Sequence, residues 1–364
     1  MKQTTSNYQF YDTYHIGIDV HKSNWKISVR FDGRELRHTS IDPSAQKLRQ
    51  FVDRHFGAGR FLTVYEAGFS GFSTHRALQA EGFENIVIHA GDVPTSDKER
   101  RKKTDKVDCR KLARSLAIYD RNDGDDRLTP LFVPSEHGEA FRDLWRIRGQ
   151  IVKDRTRVKN QIWSFLDKWG VELPDSWQLP RWSQTFLRYL RRQLNLSSSA
   201  LQLNLEQLLD RYEDITGQLK QCEDRLTEQL QDGGGGPIVA AMQSQLPGVG
   251  RLTAMGFYAE ILDIHRFSNT DKLARFLGLA PDIRQSDTSH YTTGVTNRCN
   301  DRLRRLLIES AWVAIRKDDY LHQCWRHYIR RMSKQKAIIR IARKLGERLR
   351  RIWVDQLADY AAAA

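Results

Sequence analysis

The sequence predicts an α/β domain followed by mostly helical structure, and three observations carry that reading. Short runs in which apolar and polar residues alternate fill the amino-terminal quarter, with helix-spaced segments between them. From 136 to 230 the apolar positions recur at heptad-like spacing in long charged segments. Beyond DGGGGP (232–237) the pattern changes to shorter helices punctuated by Pro and Gly. The expected organisation is a catalytic α/β domain at 1–130, a helical connector at 131–232 and a carboxy-terminal domain at 233–364.

The first strand is YHIGIDV, ending at 20, and a polar turn at His21–Asn24 joins it to WKISVRF (25–31) as a hairpin. RELRHTSI (34–41) continues as a third strand. DPSAQKLRQFVDRHFG (42–57) opens with an Asp/Ser cap and runs at helical spacing to a glycine stop. FLTVYEA (61–67) returns as a buried strand, followed by a helix near 71–81, the strand ENIVIHA (84–90) and a helix containing Asp105 and Asp108. Three strands, helix, strand, helix, strand, helix is the order of an RNase H-like sheet.

On that frame Asp19 closes one strand, Glu66 closes another, and Asp105 and Asp108 share a helix face because they stand three apart. Like charges gathered this closely repel and raise one another's pKa, a conflict that a divalent cation resolves. Hard oxygen ligands suit Mg²⁺, and a pair of such ions about 4 Å apart stabilises attacking and leaving oxygens together. The set therefore points to phosphodiester chemistry. Each acid by itself has a plain alternative, as a turn former or a solvated partner of Lys and Arg.

Charge agrees with that substrate. The chain carries 59 Lys+Arg against 45 Asp+Glu, a formal +14, and the excess is clustered. KERRKKTDKVDCRK (98–111) has eight basic residues in fourteen, and 330–351 has ten in twenty-two against one acid, Glu347. Such runs favour polyanions. No apolar stretch approaches the roughly 20 residues that span a bilayer, and no signal peptide opens the chain, so a soluble, cytoplasmic protein without a membrane role is expected. Cys109, Cys222, Cys299 and Cys324 are too scattered for a zinc site or a disulfide framework. Cys109 is either a packing residue or, in its basic context, a thiol of lowered pKa.

Within the connector, Pro174 and Pro180 separate two long amphipathic segments that read as an antiparallel coiled coil, serving as spacer or as oligomerisation arm. The DGGGGP run reads as a flexible joint. SQLPGVGRLTAMGFYAEI (244–261) resembles a helix-hairpin-helix, whose glycine turn offers backbone N–H groups to a phosphate; a Pro-Gly turn between ordinary helices is the alternative. DKLARFLGLAP (271–281) reads as a helix stopped by proline, RQSDTSHYTTGVTNRCN (284–300) as a polar turn segment, and DRLRRLLIESAWVAIR (301–316) as an amphipathic helix.

GIDVHK (17–22), YEAG (65–68), KTDKVDCRKLA (103–113), LPGVGRLTA (246–254), FLGLAP (276–281) and TGVTNRCNDRLRRLLIESAW (293–312) resemble the successive signature blocks of DEDD-type insertion-sequence transposases, the insertion-sequence family one-hundred-ten. The blocks keep the family's order to about residue 316. The resemblance implies a bridge-RNA-guided DNA recombinase with a RuvC-like domain in which Asp19, Glu66, Asp105 and Asp108 hold Mg²⁺. It also implies a coiled-coil connector and a carboxy-terminal transposase domain with a nucleophilic serine.

In the family that serine lies five residues after the proline of the GLxP block, and the glycine of a later block thirteen after it. Here Pro281 to Ser286 is five and Pro281 to Gly294 is thirteen. Two departures stand out: Asp287, Thr288 and Ser289 follow where small residues or glycines are usual, and Cys299 replaces a common glycine. Ser289 therefore stays a second candidate, and His290 is the one nearby base.

The implied partners are donor and target DNA, a noncoding bridge RNA that does the sequence reading, and further copies of the chain in a dimer or tetramer. The implied place is the cytoplasm of a prokaryote, associated with the nucleoid. Under that reading the acids and Ser286 act on one phosphate, across partner subunits. Two other classes fit parts of the sequence: a Holliday-junction or RNase H-like nuclease using the carboxylates and water alone, and a noncatalytic nucleic-acid-binding scaffold.

Overall fold

A computed structural model describes residues 12–89, 105–122, 128–173, 182–192, 196, 198–286, 289–295 and 299–363, with the backbone alone at 105–108, 281–286, 289–295 and 363. Two compact units result, Met1–Val133 and Pro134–Ala364.

The first unit is built on a mixed sheet. Its strands are β1 (Thr13–Val20), β2 (Trp25–Phe31), β3 (Arg34–Ile41), β4 (Arg60–Glu66) and β5 (Glu84–Ile88), in the spatial order β3-β2-β1-β4-β5. The β1–β2 and β2–β3 pairs are antiparallel, whereas β1–β4 and β4–β5 are parallel. Helices α1 (Ala45–Phe56) and α2 (Ser73–Ala80) provide the crossovers, and α3 (Asp105–Arg121) follows. Ser44 stands at the N-cap of α1 and Gly57 ends it at φ 69°, so the cap signals read from sequence fall on the helix ends.

Alternation of side chains splits this sheet between two cores. Ile16, Ile18, Phe61 and Tyr65 face α1 and α2, where they meet Leu48, Val52 and Leu78. Leu62, Val64 and Ile88 face α3 and meet its Leu112 and Leu116. Both faces of β1 and β4 are covered, and their central residues are buried accordingly. On the α3 face Gly17 admits the helix at close quarters: a β-carbon there would overlap the Cys109 carbonyl oxygen and the Ala113 nitrogen. Glycine at 17 is what lets α3 lie on β1.

Among its described residues the second unit is helical apart from one hairpin. Helices α4 (Glu136–Lys168) and α6 (Ser199–Asp232) are 33 and 34 residues long. They run antiparallel. Phe141 and Trp145 near the start of α4 share a core with Leu226 and Leu230 near the end of α6. Val158, Ile162 and Leu166 share another with Leu205, Leu209 and Tyr212, closed by Phe186, Leu187 and Leu190 of α5 (Gln184–Arg192). Leu205, Tyr212, Leu219 and Leu226 recur at intervals of seven, which keeps one stripe of α6 buried.

The glycine run is not a flexible joint. Helix α6 continues to Asp232, and α7 (Gly236–Gln245) begins with Gly236 itself and Pro237 in its first turn. The glycines between them sit in a packed turn: a β-carbon on Gly233 would overlap the His137 imidazole, one on Gly235 the Tyr258 ring, and one on Gly236 the Gln231 amide. Composition suggested slack, but here the missing side chains make room for neighbours.

After α7 and the turn at Leu246–Gly250 comes α8 (Arg251–Ile261). Gly248 adopts φ 95°, and its Cα faces the backbone of Ala314 with no space for a side chain. Helix α9 (Thr270–Phe276) ends five residues before the proline expected to stop it. Gly278 at φ 65° makes that stop, and Pro281 instead opens a strand. The polar turn segment contains a hairpin, β6 (Pro281–Ser286) and β7 (Ser289–Val295). Helices α10 (Asp301–Ala314), α11 (Asp319–Ile329) and α12 (Lys334–Ala363) complete the unit, and their apolar faces close one core around Leu303, Leu307, Ile341, Leu345 and Trp353.

Candidate active site

Asp19 and Glu66 lie side by side. The β1–β4 register pairs Gly17 with Val64 and Ile18 with Tyr65, so the next step along both parallel strands brings Asp19 level with Glu66. Adjacent strands stand about 4.8 Å apart. Both acids share the face of Gly17 and Val64, which is the face covered by α3. The described part of α3 starts at Asp105; because Asp120 meets His15 while Cys109 and Ala113 meet Gly17, the helix runs opposite to β1 and its Asp105–Asp108 turn lies toward the end of the strand that carries Asp19. The side chains of Asp105 and Asp108 lie outside the described residues, and among the described residues no group of three or more His, Cys, Asp or Glu could hold a metal.

The pair at the strand ends suits a hard cation. The Asp19 carboxylate is 19% exposed, shielded enough to feel its neighbours yet open to a ligand. Its Oδ2 lies 3.0 Å from His21 Nε2 in the β1–β2 turn. Two carboxylates on neighbouring strands repel unless a positive group sits with them, and an oxygen-only donor set of this kind matches Mg²⁺. The sequence by itself marks His21 only as a turn residue. Its position two beyond Asp19 was the available signal, because a turn that folds back can present a side chain to the strand end.

Cys109, next to Asp108, is a packing residue. Burial pushes its thiol up to about 11, and the nearby Asp19 charge pushes the same way. Its side chain is fully enclosed, so the basic neighbourhood does not activate it.

In the second unit the two candidate serines face each other. Ser286 ends β6, Ser289 begins β7, and they are cross-strand partners, followed along the ladder by Gln285 opposite His290. The turn residues 287 and 288 and all side chains of the hairpin lie outside the described residues. The residue that opens the following helix is well anchored. Asn300 donates its backbone N–H to the Phe276 carbonyl (2.7 Å) and its side-chain amide to Glu260 Oε2 (2.8 Å) while capping α10. Glu260 is completely buried and takes two further hydrogen bonds from Arg146 of α4, at 3.0 and 2.7 Å. Burial alone would raise the Glu260 carboxyl, but the Arg146 bonds and charge, with Asn300, outweigh it and hold the group below the usual carboxylate range.

Of the basic stretches, the second is the one described. From Tyr320 to Gly346 the chain has eight Lys and Arg and no acid. Arg326, Arg330, Arg331, Lys334, Lys336 and Arg340 are exposed around the α11–α12 turn, where Arg340 lies over the Tyr328 ring at 5.4 Å. Further along α12, Arg343 and Arg348 are instead tied to Asp271 and Asp318. The run at 98–111 lies mostly outside the described residues. Among the described residues no helix is long and apolar enough to cross a membrane.

Two family models match the chain. A DEDD transposase model of the IS110 type covers residues 16–170, and one described as the transposase IS116/IS110/IS902 family covers 241–326. The first begins within β1 and includes all four acids, and the second includes both serines. A protein of Sinorhizobium fredii (strain NBRC 101917 / NGR234) that carries the transposase name y4rJ is 31% identical over 361 residues, spanning 91% of this chain and 89% of its own. The chain belongs to the IS110 family of DEDD transposases. It is also similar to the transposase for insertion sequence element IS1111A of Coxiella burnetii (strain RSA 493 / Nine Mile phase I), 28% identical over 90% of this chain and 86% of that one. Family membership makes it an insertion-sequence transposase, a DNA-processing enzyme. The mixed sheet carrying Asp19 and Glu66 is thus the core of its DEDD region.

Proposed function

We propose that this transposase cleaves and rejoins DNA strands at sites chosen by a bridge RNA, through a covalent link between a serine and DNA. One observation carries the reading: Asp19 and Glu66 stand level on adjacent parallel strands, on the face where α3 begins with Asp105 and Asp108. Sheet order β3-β2-β1-β4-β5, with β1 to β3 an antiparallel meander and β1, β4 and β5 parallel, supports an RNase H-like, RuvC-like fold for this unit. Asp19, Glu66, Asp105 and Asp108 would hold Mg²⁺. When bound, the ion offsets charge that develops on the oxygens of the scissile phosphate.

The protein's own groups do the rest. His21 steadies the Asp19 carboxylate from the side. Ser286 is the nucleophile: its oxygen bonds to phosphorus as the P–O bond of the strand breaks, and its proton passes to a general base from outside the hairpin, since His290 pairs with Gln285 one step along the ladder and so belongs to the opposite face. The freed strand end keeps its hydroxyl. Attack of a strand-end hydroxyl on the serine–DNA ester then restores a phosphodiester and returns the serine, without hydrolysis. The helix–turn–helix at 236–261, with Gly248 in its turn, is consistent with a helix-hairpin-helix that holds nucleic-acid backbone, and the basic surface at α11–α12 would hold further phosphates. A second copy of the chain completes the assembly.

The test is a denaturing gel of labelled donor DNA incubated with Mg²⁺, the transposase and the RNA that co-purifies with it. A protein–DNA adduct is expected from the parent. Asp19→Asn should lower strand cleavage about a thousandfold or more, since a metal contributes several kcal/mol and each 1.4 kcal/mol is tenfold in rate. Ser286→Ala should abolish the adduct. Full recombination by the alanine variant sinks the Ser286 assignment, cleavage without any adduct supports a water-using nuclease, and absence of a co-purifying RNA sinks the guide.

A further inference from the structure

Just beyond Glu66 the chain displays a large aromatic side chain to water. Phe69 is 60% exposed in the turn between β4 and α2, although full burial of such a ring contributes roughly 1.5–3 kcal/mol. The turn that carries it is tightly held. Ala67 donates its N–H to the Ile88 carbonyl (2.8 Å), Gly71 to Gly68 (3.1 Å), and the Ser73 hydroxyl to Ser70 (2.7 Å). Below them the buried Tyr65 hydroxyl donates to the Gly71 carbonyl (2.9 Å) and accepts from the His75 N–H (3.1 Å). Phe69 is therefore exposed because its backbone is fixed that way.

A cation stands with it. Lys22, exposed in the β1–β2 turn three residues past Asp19, has its Nζ 5.6 Å from the centre of the Phe69 ring. The two strand ends that bring the carboxylates level thus also bring an ammonium group and an open ring together just beyond them. An exposed ring with a cation over it matches a nucleotide: the ring stacks on a base with the face away from the ammonium, and the ammonium meets a phosphate oxygen. A base has a free face only where it has left the duplex stack.

We propose that Phe69 and Lys22 form a nucleotide subsite for this transposase, in which Phe69 stacks on an unpaired base of the DNA strand next to the scissile phosphate and Lys22 contacts the adjoining phosphate. The subsite rests on the reading that the Asp19–Glu66 end of the sheet acts on a DNA strand. It adds a preference for a locally opened strand over an intact duplex.

The experiment measures binding of fluorescein-labelled (dT)12 to the full chain at about 0.3 M salt, where interactions between exposed charges are screened beyond a few ångströms. Phe69→Ala should weaken binding between about fivefold and a hundredfold, the range for losing one stacked base. Phe69→Leu should weaken it similarly, because it keeps apolar volume without an aromatic face. Phe69→Trp should restore it to within about threefold of the parent. Irradiation at 254 nm should cross-link (dT)12 to the peptide containing Phe69.

Unchanged affinity in Phe69→Ala, an equal loss on a 12-base-pair duplex, or a cross-link that maps elsewhere overturns the subsite. Asp19→Asn separates the two readings: it should keep (dT)12 binding while losing cleavage. Intact binding by Phe69→Ala alongside that result removes the subsite and leaves the catalytic reading standing, whereas cleavage by Asp19→Asn removes the catalytic reading.

Discussion

At the scale of single residues, buried charges show how this chain fixes its shape. Glu260 has no contact with solvent and relies on Arg146 and Asn300. Removing one partner of such a pair leaves an uncompensated charge and costs about 3 kcal/mol or more. Arg146→Ala should therefore lower the thermal midpoint by several degrees, while Arg146→Ala with Glu260→Gln should recover part of the loss; calorimetry on both variants checks this.

His15 is a second such residue, buried in β1 with its Nε2 at 2.8 Å from Asp120. Burial lowers its pKa, more than the hydrogen bond and charge of Asp120 raise it. An unfolded histidine takes a proton near pH 6.5, and the folded one resists, so stability falls as pH drops through and below that value. Burial raises the Asp120 carboxyl, but hydrogen bonds with His15 and Arg60 hold it below its ordinary range, so its contribution is lost at still lower pH. The midpoint should fall steadily from pH 7.5 to 5, and His15→Gln should flatten that slope. A flat profile in the parent would contradict the assignment.

At the scale of elements, the contact of α3 with β1 decides where Asp105 and Asp108 go. Helical spacing puts those two on one face, but Gly17 sets the distance at which the helix lies. In Gly17→Ala the new methyl meets backbone atoms, which cannot move aside as a side-chain tip would. Overpacking of this kind costs about 3 kcal/mol. The variant should melt at lower temperature and lose cleavage even where it folds, because the first turn of α3 is displaced. Urea unfolding and the cleavage gel together test this, and parent-like values in both would remove Gly17 from the account.

At the scale of the whole molecule, charge is arranged rather than merely abundant. The acid-free stretch from Tyr320 to Gly346 concentrates exposed cations around the α11–α12 turn, and such a field repels itself until a polyanion arrives. Binding of duplex DNA should therefore depend steeply on salt. Each cation that meets a phosphate contributes about 0.9 to the slope of log affinity against log salt. Replacing Arg330, Arg331, Lys334 and Lys336 together with Gln should reduce that slope by about 2 to 4, measured by anisotropy between 0.1 and 0.4 M salt, with the far-ultraviolet spectrum unchanged.

Much of this was readable in the chain itself because it is local: the period of two across β1 and β2, the Ser44 and Gly57 signals around α1, the three-residue spacing of Asp105 and Asp108, and the heptad stripe of α6 all follow from backbone geometry and neighbouring side chains. Other features depend on residues distant in sequence, and only the tertiary structure decided them. The lateral match of Asp19 with Glu66 required strand order and register. The pairing of Ser286 with Ser289 required a strand register in a segment that the sequence marked only as a polar turn segment. Gly233 and Gly235, slack by composition, sit in a packed turn because His137 and Tyr258 arrive from elsewhere in the unit. The exposure of Phe69 required a hydrogen-bonded turn that holds it in water. A sequence specifies its neighbours along the chain directly, whereas which surfaces meet, and which stay open, is settled by packing between elements far apart in sequence.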